Sequence, residues 1–243
     1  MMLSAFVISL PKRKDRRKEF ESAWSASHCG KAISYEYLPA LEVPEHITGQ
    51  ARVGLCDLAC AISHRKAVAL AQAANLEGVI VFEDDAVPRN DEKLAEFLFV
   101  TLAKASAGWN TVNLGGCSAQ WRPATPALRF ERQAPGLFRV RGMVTTHAIL
   151  YHKNVYDEVL ASVPTEEEFR MTTGDIVTTR PYDQWLGSHG VMLTGEIPYF
   201  VQSGSTSDII GCPHNSSVAD LIEKTYETLR NSPNGPSAPA SIF

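Results

Sequence analysis

Three consecutive carboxylates, Glu83, Asp84 and Asp85, follow the four apolar residues Val79, Ile80, Val81 and Phe82. Side by side, three such charges repel one another, and a cation is the simplest group that relieves them. A run that apolar reads as a strand buried on both faces, the kind found in parallel sheets flanked by helices. Its carboxyl end is where ligands bind in open α/β sheets. Alternation along a strand would send Glu83 and Asp85 one way and Asp84 the other. Two carboxylates on one face suit a hard divalent cation, Mn²⁺ or Mg²⁺, which takes one or two acidic ligands plus substrate phosphates. The competing reading is an acidic turn that caps the next helix.

Arg16 lies in the basic stretch Lys12, Arg13, Lys14, Arg16, Arg17 and Lys18, just after the apolar run 5–10. If the two strands are parallel, its guanidinium shares the sheet edge with the carboxylates and a diphosphate can lie between it and the metal. The other cations read as a solvated face. Ser63 and His64 fall within an alanine-rich helical stretch, where each taken singly reads as structural. Asp183 stands between Tyr182 and Trp185, 100 residues after Glu83. Taken by itself, a carboxylate there reads as a cap of a short helix.

The elements that must position these groups alternate. Residues 5–10 read as a strand ended by Pro11, with a helix after it capped by Asp15 and carrying Phe20, Ala23 and Trp24 on one face. A second strand is expected at 33–41, a helix at 56–78 capped by Asp57, the carboxylate strand next, and a helix at 91–105 with Leu94, Phe97, Leu98, Thr101 and Leu102 on one side. A strand at 109–116 completes an alternation that predicts an α/β fold with a doubly wound sheet. Further on, strands are expected within 138–152 and 197–204, and helices at 153–163 and 216–230. One domain is predicted over 1–230, with 231–243 as a Pro/Ser/Asn-rich tail.

Composition sets outer bounds. Hydrophobic residues make up 44% and charged residues 21% of 243 residues, as in ordinary globular proteins. The formal net charge of −4 argues against generic nucleic-acid binding. Five cysteines without paired CxxC spacing suggest neither a disulfide framework nor a zinc ribbon, and point to a reducing compartment. The short apolar start runs directly into basic residues, so neither a signal peptide nor a membrane span is predicted, and a cytoplasmic chain is expected.

The segments FVISLPKRKDRR (6–17), CAISHRKAV (60–68), VIVFEDDA (79–86), THAILYHKNVYDEVL (146–160), YDQWL (182–186) and VQSGSTSDI (201–209), in this order, resemble glycosyltransferase family 25. That family contains lipooligosaccharide galactosyltransferases and collagen galactosyltransferase domains. The resemblance implies a single GT-A type domain with a Rossmann-like, mostly parallel central sheet. It also implies transfer of a hexose, galactose first, from a UDP-sugar to a hydroxyl of a glycan or lipooligosaccharide. In its terms Glu83 and Asp85 form a DxD-like motif for Mn²⁺, or Mg²⁺. Ser9, Arg16, Ser63, His64 and Asp84 bind the donor. Asp183 is the catalytic base, between Tyr182 and Trp185 as rings that can stack on a sugar, and Thr145, His147, Trp185, Gln202 and Asp208 line the acceptor or substrate pocket. His214 is a further candidate metal ligand. This chain has Ser9 and Leu10 where the family usually ends its first strand in Asn-Leu, and Ala59 where a glycine is common. The implied partners are a nucleotide-sugar donor and a glycan or lipid-linked glycan acceptor. With the latter, the basic stretch 12–18 would favour an anionic inner leaflet by about 1 kcal/mol per well-placed cation. Two other readings remain at this point: a non-catalytic sugar- or nucleotide-binding module, and another metal-dependent nucleotide-processing enzyme.

Overall fold

The computed structural model describes residues 4–105, 108–118, 127–171, 181–204 and 217–232. Strand β1 (Ser4–Ser9) leads through Pro11 into helix α1 (Lys14–Ala26), whose Phe20 and Trp24 are buried one turn apart. The single turn α2 (Cys29–Ala32) precedes β2 (Tyr35–Pro39), which lies parallel to β1. Helix α3 (Gly49–Ala73) returns the chain to β3 (Gly78–Glu83), parallel to β1 on its other side. After β4 (Ala86–Pro88) come the short α4 (Leu94–Glu96), β5 (Thr111–Asn113) and β6 (Cys117–Ser118). The second half supplies β7 (Arg129–Ala134), β8 (Leu137–Arg141), β9 (Met143–Val144) and β10 (Ala148–His152). Helices α5 (Tyr156–Ser162), α6 (Glu166–Met171) and α7 (Tyr182–Leu186) follow, then β11 (Met192–Gly195), β12 (Phe200–Gln202) and α8 (Ser217–Asn231).

The main sheet runs in the order β2-β1-β3-β10-β5-β11-β8-β7. Strands β2, β1, β3, β5, β11 and β7 point one way, and β10 and β8 oppose them. This is the mixed, mostly parallel sheet flanked by helices that the sequence predicts. Both faces are covered. Val79, Val81, Ile149 and Tyr151 pack with residues of α3, α5 and α8, while Ile80, Phe82 and Leu150 pack with Phe20, Trp24, Leu94 and Phe97. Residues 79 to 82 are wholly buried, and at about 1.5–3 kcal/mol per side chain they anchor the strand firmly enough to carry charge at its end.

Three local expectations are corrected. Helix α3 begins at Gly49, seven residues before Cys56, with Thr48 in the cap position, so Asp57 lies inside it. It ends at Ala73, short of residue 78, and two residues on Asn75 has φ +54°, the left-handed region that asparagine tolerates. Asp15 does not cap α1; it sits in the first turn and pairs with Arg13 at 2.8 Å. The helix expected at 91–105 is broken into 3₁₀ turns, α4 and a π-helical turn at Phe97–Thr101. That wide turn keeps Phe97 and Leu98 buried and leaves Phe99 and Val100 exposed. Among the described residues no helix is long and apolar enough to cross a membrane.

Candidate functional site at the carboxyl edge of the parallel strands

Glu83 is the last residue of β3 and follows Val79 and Val81 onto the face covered by α3. Its amide donates to the His147 carbonyl of β10's approach at 2.9 Å. Its Oε1 accepts from the Thr146 hydroxyl at 2.5 Å, and lies 3.5 Å from His64 Nε2 and 3.7 Å from Cys60 Sγ. Cys60 and His64 stand four residues apart on α3, hence on one face of it. The other imidazole nitrogen, Nδ1, meets the Tyr151 hydroxyl at 2.9 Å, and that hydroxyl meets Tyr182's at 3.2 Å. His64, expected as a donor contact, is therefore a buried member of a polar chain beneath Glu83. Ser63 is a brace: its hydroxyl accepts from the Leu41 amide at 3.0 Å and donates to the Ala59 carbonyl at 2.7 Å.

Strand geometry stops at Glu83, and Asp84 and Asp85 occupy a turn. The expected sharing of one face by Glu83 and Asp85 therefore fails, because alternation needs extended backbone. Instead Asp84 and Asp85 turn together towards α1. Arg16 donates from Nη1 to Asp84 at 2.8 Å and lies 3.5 Å by Nη2 from Asp85, with side chains only 8%, 7% and 3% exposed. Arg16, expected to face a diphosphate, is bonded here to the carboxylates of the turn. Ser9 is likewise engaged: Arg17 donates to its hydroxyl at 3.0 Å and lies over the Tyr37 ring at 4.9 Å. Lys12 pairs with Glu42 and Glu45, which neutralises more of the basic stretch. Gln202 does reach the edge. Strand β12 pairs with β4, placing Gln202 opposite Ala86, and its Nε2 lies 3.5 Å from Asp85 Oδ2.

Asp183 lies in the first turn of α7 and accepts from the Gln184 amide at 2.8 Å and the Thr145 amide at 3.4 Å. Thr145 has φ +74°, an outlier for a β-branched residue, and the Asn113 side chain holds its carbonyl at 3.0 Å. Adjacent residues thus grip both ends of the site: the Thr145 amide holds Asp183 and the Thr146 hydroxyl holds Glu83. His147 is buried behind them, against a glycine that cannot be replaced. A Cβ on Gly115 would meet His147 Nε2 at 2.7 Å and the Phe200 carbonyl at 2.1 Å. Tyr182 and Trp185, the rings expected to stack on a sugar, stack on each other at 5.7 Å, and Trp185 also stacks on His189 at 4.7 Å. Asp208 and His214 lie outside the described residues.

Charge is unevenly distributed over the edge. Burial pushes Glu83 up, but hydrogen bonding and charge from His64, the Thr146 hydroxyl and His147 outweigh it and hold the carboxyl down at about 2. Burial and the Glu83 charge raise Asp85 to about 7, against the pull of Arg16. Burial also raises Asp84, with Arg16 opposing. Burial is the larger cause for Asp85, and the neighbouring carboxylates add to it. The edge offers carboxylate oxygen, the donor type that a hard divalent cation takes, with Glu83 on the α3 side and Asp84 and Asp85 on the α1 side.

Cys60, Thr146, Tyr151 and Asn113 belong to this site but were not singled out from sequence. For Cys60 a signal existed in its four-residue spacing from His64; for the others the partners are distant in sequence.

Residues 2–118 match the model of glycosyltransferase family 25, described as LPS biosynthesis protein, so the resemblance read from the motifs holds over that segment. No curated protein matches the chain. Among solved structures, the chain is similar to a glycosyltransferase involved in the glycosylation of the major capsid of PBCV-1, at 12% identity, 76% of this chain, 73% of that chain and TM-score 0.39. It is also similar to mannose-1-phosphate geranyltransferase from Thermus thermophilus, at 14% identity, 82% of this chain, 75% of that chain and TM-score 0.39.

Proposed function

We propose that this chain, whose residues 2–118 match glycosyltransferase family 25, moves a hexose, galactose first, from a UDP-sugar to a hydroxyl of a glycan or lipid-linked glycan with inversion. The family segment supports a glycosyl transfer role. The observation that carries the reading is a convergence at one sheet edge. Glu83, Asp84, Asp85, Arg16 and Gln202 meet there, and Thr145 and Thr146 tie Asp183 to the same place.

In this reading Asp183 takes the proton of the acceptor hydroxyl as its oxygen attacks the anomeric carbon. The Thr145 and Gln184 amides fix the carboxylate's orientation for that transfer. Glu83 and Asp85 hold Mn²⁺ or Mg²⁺, which when bound supplies Lewis-acid charge beside the departing diphosphate. Arg16 keeps Asp84 and Asp85 in register and offsets part of their charge, and Gln202 orients Asp85.

The test is release of UDP from a panel of UDP-sugars with Mn²⁺ or with EDTA, on wild type and Asp85→Ala. Release confined to one sugar, dependent on Mn²⁺ and lost in the variant is the expected result. A cooperatively folded wild type that binds no UDP-sugar by calorimetry, with or without metal, excludes the reading.

A further inference from the structure

The polar chain beneath Glu83 has a donor chemistry unlike that of the oxygen-rich edge. We propose that Cys60, His64 and Glu83 form a tetrahedral site for a thiophilic divalent cation, Zn²⁺ first, with solvent as the fourth ligand. The three potential ligand atoms all lie within 4.8 Å of one another. Glu83 Oε1 is 3.7 Å from Cys60 Sγ and 3.5 Å from His64 Nε2. With Zn–S about 2.3 Å and Zn–N or Zn–O about 2.0–2.1 Å, the edges of a ligand tetrahedron are roughly 3.3–3.6 Å long. Both distances to Glu83 meet that range to within about 0.2 Å, and the Cys60 and His64 ligand atoms lie within 4.8 Å of each other.

Neighbours fix each ligand in the required orientation. In the tautomer that binds metal, His64 donates Nδ1–H to Tyr151 at 2.9 Å, which aims Nε2 at Glu83. The Thr146 hydroxyl holds the carboxylate at 2.5 Å. A thiolate and a carboxylate balance a dication, so a loaded cluster is electrically neutral although buried. The thiol proton must leave, because burial and the Glu83 charge favour the protonated form of Cys60. Entry is available from the side of Glu83, whose side chain is 21% exposed. Sulfur and imidazole favour Zn²⁺ over Mn²⁺ here, whereas Asp84 and Asp85 offer oxygen alone. The site stands whether or not the chain transfers sugars. If it does, Zn²⁺ removes Glu83 from the oxygen-rich edge and opposes Mn²⁺-dependent turnover.

The full-length, metal-free protein is titrated with Co²⁺ alone, then with Zn²⁺, with no sugar present. One equivalent of Co²⁺ is expected to produce a thiolate-to-cobalt charge-transfer band that Zn²⁺ abolishes. The band should persist in Cys56→Ser and disappear in Cys60→Ser. A wild type without the band, or the band surviving in Cys60→Ser, overturns the proposal. Should Cys60→Ser fail to fold, alkylation of Cys60 in the wild type, followed by peptide mass spectrometry, is expected to slow about tenfold or more with saturating Zn²⁺; an unchanged rate overturns it equally.

Discussion

Arg16 donates to Asp84 at 2.8 Å, and both side chains are less than a tenth exposed. Helix α1 thereby supplies a cation to the turn that ends β3. Removing it leaves buried carboxylates without that partner, and breaking a buried pair costs about 3–5 kcal/mol. Arg16→Met is expected to destabilise the chain by that order in urea denaturation. Arg16→Met combined with Asp84→Asn should recover part of the loss, since the uncompensated charge is gone. Equal stability of the single and double variants would show that the pair carries no coupling.

Stability should also depend on pH through Asp85. Its folded carboxyl titrates at about 7, above the ordinary 3.8, because burial and Glu83 resist its ionisation. A raised folded value gives stability that is complete below about pH 4 and is lost as pH rises towards 7 and beyond. Glu83, held down at about 2 against an ordinary 4.5, works oppositely and loses its contribution as pH falls from 4.5. In EDTA, wild type should therefore weaken between pH 4 and pH 7, and Asp85→Asn should flatten that slope. Near pH 7 the variant is expected to be the more stable by on the order of 1–2 kcal/mol. Parallel slopes for the two proteins would remove Asp85 as the titrating group.

What could be read from sequence was what a single element encodes. Val79 to Phe82 announce a doubly covered strand, and the break into three acids marks its carboxyl end. The direction of each acid was not legible, because the turn at Asp84 and Asp85 is set by Arg16, 68 positions away. The start of α3 was missed for a local reason: Thr48 makes no side-chain cap bond, while Asp57 looked like a cap. Trp185 needed its neighbours, since Tyr182 within α7 and His189 beyond its end both stack on its ring. The Cys60–His64 pair carried helical spacing, but only the fold brings Glu83 to it.

The roles proposed for Asp183 and Glu83 separate kinetically. Asp183→Asn keeps the shape and one acceptor oxygen, hence one of the two backbone amide bonds, but cannot take a proton. It should lower kcat for sugar transfer by about 10²–10⁴-fold while UDP-sugar binding with Mn²⁺ stays unchanged by calorimetry. Glu83→Gln should instead weaken Mn²⁺ binding itself. Full transfer activity in Asp183→Asn would sink the base assignment while leaving the metal assignment standing.

Thr145 offers a test of whether the grip on Asp183 is built on strain. Its φ of +74° costs a β-branched residue on the order of 1–3 kcal/mol, whereas glycine adopts that region freely. Glycine in turn loses more chain entropy on folding, worth about 0.4–1 kcal/mol. Relief of strain is the larger quantity, so Thr145→Gly should leave stability unchanged or raise it by about 1 kcal/mol. The Thr145 amide donates to Asp183 from the backbone, and glycine retains it. Activity should survive as long as that backbone geometry persists. A fall in stability beyond about 1 kcal/mol would mean that the threonine side chain packs more favourably than its strained backbone suggests. Retained stability with lost turnover would instead show that the strain itself aims the amide at Asp183.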